Sequence, residues 1–265
     1  MRDELRRDAE AIALPADAAL EQPPRHLDPP STLRVIPEFL RQAWHEARVR
    51  RLRHIQFRSR ENHKAREAYA AMDPWEFEGI NARQAWANWR TIARNLDGRL
   101  PRRPLRALDL CCGTGQSTAV IAHHLPPGSE VLGLEYSPRL VGVARSRSYP
   151  TASGELLHVR FRAQSVLQPF RDEEGAPVGD GSVDLVNSCG AVGCHFDPEA
   201  TLALAIEVSR VVRPFGLATI DSGRSGTRPA EVQAIFEGQG FDAIHRARSC
   251  FLDPYLQICF RKRAV

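Results

Sequence analysis

The sequence predicts an α/β fold built on a doubly wound sheet, and three observations predict it. Leu105 to Cys111 is a short apolar run that breaks into Gly113-Thr-Gly115 and opens a helix near Gln116. A second apolar run, Val131-Leu-Gly-Leu134, ends in Glu135, twenty residues beyond Gly115. From there to the C-terminus, short apolar runs alternate with helix starts, the pattern of strands joined by crossover helices.

At 265 residues the chain has room for one large α/β domain and an appendage. A hydrophobic fraction of 43% with 26% charged residues is ordinary for a globular chain that folds in water. No apolar run reaches the length of a membrane span, and the charged N-terminus lacks a signal-peptide core. Six cysteines at irregular spacing, two of them adjacent in the glycine turn, do not read as a disulfide framework. A cytoplasmic location is therefore expected.

Residues 1–31, rich in proline, alanine and charge, read as a flexible N-terminal arm with a short helix over Leu5 to Leu14. Residues 32–100 read as a helical extension. Val35, Ile36, Phe39, Leu40 and Trp44 recur at three- and four-residue steps and predict an amphipathic face. Nine basic residues lie between Arg41 and Arg66, against Glu46 and Glu61. A solvated helix face accounts for such a run, and contact with an anionic partner is the sharper alternative. Asp73-Pro-Trp-Glu76 predicts a capped helix start, and Ala82, Ala85, Trp86, Trp89 and Ile92 mark the following helix.

Residues 101–265 then hold the sheet. Gly113 and Gly115 permit a tight turn against which a ligand can lie on bare backbone. Glu135 stands where the ribose hydroxyls of a nucleoside are gripped. A dinucleotide fingerprint would need glycine at 111 and 116, where Cys111 and Gln116 stand, and a P-loop would need a Lys-Ser/Thr pair that is absent. Asp109 within the first strand would repel a phosphate and suits a ligand with an ammonium or sulfonium. Further strands are expected over Leu157–Arg162, Val183–Ser188, Gly216–Asp221, Asp242–Ser249 and Tyr255–Arg261. Ser137-Pro138, Asp197-Pro198 and Arg228 start the intervening helices.

Leu-Asp-Leu-Cys-Cys-Gly-Thr-Gly, residues 108–115, resembles the first motif of class I S-adenosylmethionine (SAM) methyltransferases, with Cys111 where that motif usually has glycine. Val183-Asp-Leu-Val186 and Arg213-Pro-Phe-Gly216 resemble two later motifs, and the likeness runs from about Leu105 to Lys262. Arg83-Gln-Ala-Trp86 is similar, more distantly, to a helix of quinone C-methyltransferases. The resemblance implies a seven-stranded Rossmann-like sheet whose last strand is antiparallel, with an N-terminal helical lid. It implies SAM as cofactor, S-adenosylhomocysteine as product, and in-line methyl transfer to oxygen, carbon or nitrogen of a small molecule.

It also implies roles by position. Asp109, Cys111, Gly113 and Gly115 would face the methionine end, and Glu135 the ribose. Tyr136, Gln164 and Ser165 would border the adenine, with Gln164 where relatives carry Asp, while Ser188 and Cys189 would lie nearest the methyl. His195 is the candidate general base, and Tyr69, Trp86, Trp89 and Cys194 are candidate lid or substrate residues. Tryptophans three apart on one helix are usually core packing, and a lone histidine is more often structural, although its position here favours the catalytic reading. No metal set is expected. One alternative uses Cys189 and Cys194 toward a thiol- or arsenic-directed substrate; another is a non-catalytic SAM-binding module that holds RNA through residues 41–66. Nucleic-acid bases are disfavoured as acceptors, because Asn187-Ser-Cys-Gly190 lacks the tetrapeptide of amino-methylating enzymes.

Overall fold

The computed structural model describes residues 26–53, 67–69, 72–250, 253 and 255–264. Seven strands form one sheet in the order β3-β2-β1-β4-β5-β7-β6. They are β1 (Arg106–Leu110), β2 (Glu130–Glu135), β3 (His158–Ala163), β4 (Val183–Ser188), β5 (Val212–Ser222), β6 (Phe241–Ala247) and β7 (Leu256–Lys262). The first five pair in parallel, and β7 enters antiparallel between β5 and β6. Strand order reverses between β1 and β4, the switch point at which such sheets open a crevice beyond their carboxyl ends.

Alternation along the strands divides the core. Leu108, Leu110, Val186 and Ile220 pack under α7 (Pro198–Val211) and α8 (Pro229–Gly238). Ala107, Val131, Leu185 and Leu217 pack under α3 (Ala82–Leu96) and α4 (Gln116–His124). Expected helix starts are in place: Asp73 Oδ1 accepts from Trp75 N at 2.8 Å and Glu76 Oε2 from Asp73 N at 3.3 Å, opening α2 (Pro74–Ile80). Asp197 Oδ1 accepts from Ala200 N at 2.8 Å to open α7. At α5 (Pro138–Arg145) Ser137 makes no side-chain cap; its backbone N–H instead donates to Glu135 at 2.9 Å.

The predicted helix over Leu5 to Leu14 lies outside the described residues, as do Arg58, Arg60, Lys64 and Arg66 of the basic run. The end of the expected arm is tied down: Trp86 Nε1 donates to Ser31 O at 3.2 Å, and Arg90 donates to Pro30 O at 3.1 Å. Most of the apolar stripe of α1 (Val35–Arg53) faces outward. Ile36, Phe39, Leu40 and Trp44 are exposed, while His45 and Val49 are buried. The inner face packs on α2 and α3, where His45 fills a space so tight that a Cβ on Gly79 would lie 2.2 Å from its ring.

Candidate active site

The turn after β1 is built from left-handed backbone, with φ of +55° at Cys111, +55° at Gly113 and +82° at Gly115. Gly113 and Gly115 adopt it freely; Cys111 bears a Cβ penalty there. The turn is clasped to the tip of β2 by Glu135. Its carboxylate accepts from Gly113 N at 3.0 Å and from Ser137 N at 2.9 Å. Burial raises the Glu135 pKa above the usual carboxylate range, and these backbone donors oppose the shift.

Beyond the carboxyl ends of β1, β2, β3 and β4 lies an open cavity. It brings together eight of the residues named from sequence: Tyr69, Cys111, Glu135, Tyr136, Gln164, Ser165, Cys189 and His195. Gln164 Oε1 already accepts from Arg171 N at 3.2 Å, which fixes its carbonyl and leaves its second lone pair. Tyr136 stands half exposed at the rim.

Other expected residues are placed elsewhere, for visible reasons. Asp109 is fully buried beneath the turn, off the cavity wall. Its oxygens accept from Ser117 Oγ at 2.7 Å, Thr118 Oγ1 at 2.6 Å and Asn187 Nδ2 at 2.8 Å. Burial pushes its pKa up to about 6 despite these donors. Asp109 begins a polar chain through the sheet: Asn187 Oδ1 takes Gln257 Nε2 at 2.9 Å, and Gln257 Oε1 takes Asn95 Nδ2 at 3.0 Å. Gly113 and Gly115 do not line the cavity, because protein rings cover them. A Cβ would come within 2.5 Å of the Phe77 ring at Gly113 and 2.0 Å of Tyr149 Oη at Gly115. Ser188 is buried, donating to Asp221 Oδ1 at 3.0 Å. Trp86 is buried under the Arg90 guanidinium, and Trp89 packs edge-on against His123 at 5.3 Å, so both serve packing.

A second chamber adjoins the first, with walls from Gln42, Glu46, Arg83, Gln84, Cys194 and Tyr255. Tyr69, Asn81, Gly190 and His195 line both spaces and form the neck between them. Across that neck Tyr69 Oη lies 3.0 Å from His195 Nε2. Burial raises the Tyr69 pKa, so the phenol keeps its proton. Cys189 and Cys194 open onto different spaces. The Cys189 thiol donates to Asn88 Oδ1 at 2.8 Å and accepts from Gln84 Nε2 at 3.2 Å, an arrangement that does not pair it with Cys194. Among the described residues no group of His, Cys, Asp and Glu is arranged to hold a metal ion.

Sequence reasoning missed three supports. Asp221, at the tip of β5, accepts from Gly193 N at 2.8 Å and holds the short turn α6 (Val192–His195) that carries His195. An acid at the carboxyl end of a sheet strand was the available signal. Phe77 covers the glycine turn, and Arg147 fastens it: Nε donates to Thr114 O at 2.8 Å, and Nη2 pairs with Glu78 of α2. Neither left a mark in local sequence.

Residues 107–216 match the family model of a methyltransferase domain. A demethylmenaquinone methyltransferase of Staphylococcus aureus is 28% identical over 116 residues, which is 44% of this chain and 42% of that protein. The chain thus matches less than half the length of that curated relative. Among solved structures, a TehB-like SAM-dependent methyltransferase from Corynebacterium glutamicum aligns with a TM-score of 0.50 at 18% identity, covering 83% of this chain and 99% of that one. A structure of the Haloferax volcanii Trm112 methyltransferase activator in complex with a methyltransferase aligns with a TM-score of 0.52 at 17% identity, covering 67% and 90%. At these identities the two structures speak to the fold. No helix among the described residues is long and apolar enough to cross a membrane.

Proposed function

Because residues 107–216 match the model of a methyltransferase domain, we propose that the chain is a class I SAM-dependent methyltransferase whose small-molecule acceptor meets SAM at the Tyr69–His195 neck. The observation that carries this reading is the pairing of two chambers through that neck. One is bordered by the oriented Glu135 carboxylate, the other by polar side chains of α1 and α3.

The first chamber's residues fit SAM. Glu135, buried and aimed by two backbone N–H groups, is the group to hold the ribose hydroxyls. Gln164 and Ser165 offer polar edges for the adenine, and Tyr136 offers a face at the rim. When bound, SAM supplies a methyl carbon activated by its sulfonium. The chain's own part is alignment and exclusion of water. Asp109 serves indirectly, by bonding Ser117 and Thr118 of α4 beneath the turn.

His195 is the proposed proton acceptor. Tyr69, kept neutral by burial, orients the imidazole, and Asp221 holds the backbone that presents it. A base at the neck favours an acceptor whose nucleophile must lose a proton, a hydroxyl or an acidified ring carbon. The relative's name includes demethylmenaquinone, and a quinol-type ring with polar substituents suits walls of Gln42, Asn81, Arg83 and Gln84. The test is release of S-adenosylhomocysteine across a panel of phenol, quinol and amine acceptors. Release with one supports the reading; SAM binding without release from any contradicts it.

A further inference from the structure

We infer that the outer face of α1 docks on an anionic lipid bilayer surface. Leu33 is 88% exposed, Ile36 67%, Leu40 67% and Trp44 56%. Leu33 lies in the turn just before the helix; within it Ile36, Leu40 and Trp44, with Ala43 and Ala47 also exposed, fall in one sector and run about 16 Å along it. A continuous apolar stripe of large side chains in water signals an unfilled partner. The sequence predicts an amphipathic face here; the fold buries His45 and Val49 and leaves most of the apolar stripe outward.

Charge identifies the occupant. Arg41 and Arg48 flank the stripe on one side and Arg50 on the other, and all are exposed with Arg34 and Arg51 near its ends. The acids of the same helix are mostly covered, Glu38 and Glu46 being only 18% exposed; they pair with Arg41 at 3.8 Å and Arg50 at 3.3 Å, and those arginines remain 48% and 53% exposed. Arg48 lies over both Trp44 and Trp75, at 5.6 and 5.1 Å from the ring centroids, and so gathers two indoles and a cation at one level. Apolar stripe, arginine flanks and interfacial tryptophans together are the composition of a helix that lies in a bilayer interface.

A second copy fits less well. A two-fold contact would set this face against itself and bring arginine against arginine. Inside the protein, the same helix contributes Gln42 and Glu46 to the second chamber. Docking its outer face therefore brings that chamber close to the lipid surface.

The test is flotation of the full chain with vesicles of phosphatidylcholine alone or mixed with phosphatidylglycerol, with tryptophan emission as a second readout. Binding to the anionic vesicles with a blue shift is expected, with at least tenfold weaker binding to neutral ones. Leu40→Glu should weaken binding at least tenfold, and each of Arg41→Gln and Arg51→Gln about fivefold. Because Leu40 is exposed, Leu40→Glu should keep the wild-type melting temperature and SAM affinity; Ile36→Glu repeats the test at a second position. Absence of anionic-vesicle binding by folded protein would overturn the inference. So would Leu40→Glu binding as tightly as wild type, a Leu40-dependent dimer without vesicle binding, or RNA binding in its place.

Discussion

Tyr69 and His195 are separated by 126 positions in the chain, yet their Oη and Nε2 atoms lie 3.0 Å apart at the neck between two chambers. The contact joins the N-terminal helical region to the turn after β4. Each partner alone reads as an ordinary core residue; together they place a titratable ring, held by a neutral phenol, where cofactor and acceptor would meet.

His195→Ala should lower methyl transfer by about 10²–10⁴-fold while leaving SAM affinity within about twofold, if His195 takes the proton. Tyr69→Phe should cost less, about tenfold in kcat, because the imidazole loses the hydrogen bond to Tyr69. Wild-type rates in both variants would remove the pair from the mechanism.

Asp221→Asn tests a positioning residue. The amide retains the shape but loses half of the acceptor capacity used by Ser188 Oγ and Gly193 N. Stability should fall by about 1–3 kcal/mol, and kcat more than KM, because His195 is presented by the loosened turn. Asp221→Glu should rescue neither, since a longer side chain does not fit the cap. Unchanged kcat in Asp221→Asn would show that the turn holds itself.

Asp109 predicts a pH dependence of stability. Its folded pKa of about 6 lies above the ordinary value of 3.8, so the folded protein holds a proton that the unfolded chain releases. The contribution is largest below pH 4, declines between about 4 and 6, and is gone above, a span on the order of 3 kcal/mol. Glu135 and Asp221 are raised by burial as well, so wild type should show more than one such slope. Denaturant titrations of wild type and Asp109→Asn across that range isolate the Asp109 component. Parallel pH profiles for the two proteins would contradict the assignment.

Among the described residues two that are not glycine hold left-handed backbone, Cys111 at φ +55° and Phe215 at φ +63°. Phe215 is exposed, so Phe215→Gly should raise stability by roughly 0.5–1 kcal/mol with little packing lost. Cys111→Gly should gain a similar amount from strain and return part of it in lost cavity-wall contact. A lower melting temperature for Phe215→Gly would show that the turn is not strained.

The glycine turn, the place of Glu135 at a strand tip and the strand runs were legible because local chemistry dictates them, while the antiparallel last strand was implied by the family resemblance. Positive φ asks for glycine, buried strands ask for apolar runs, and proline after Ser137 or Asp197 marks a helix start. Boundaries moved by only a few residues, as at β5, which begins at Val212 rather than Gly216. What periodicity could not give is direction. It found the apolar stripe of α1 but not that His45, seated against Gly79, would claim the inner face. It likewise found Trp86 and Trp89 without distinguishing lid from packing. Asp109 had the right residue type for a cation, yet Ser117, Thr118 and Asn187 converge on it from two other elements. Such convergence is set by tertiary packing, and no single stretch carries it.

Calorimetric titration of wild type and Glu135→Ala with SAM and S-adenosylhomocysteine tests the central claim most directly. The account predicts micromolar binding of both ligands to wild type, and a loss of at least tenfold in Glu135→Ala, whose fold is checked by circular dichroism. Folded wild-type protein that binds neither ligand, or a Glu135→Ala variant that binds both as tightly as wild type, would contradict it.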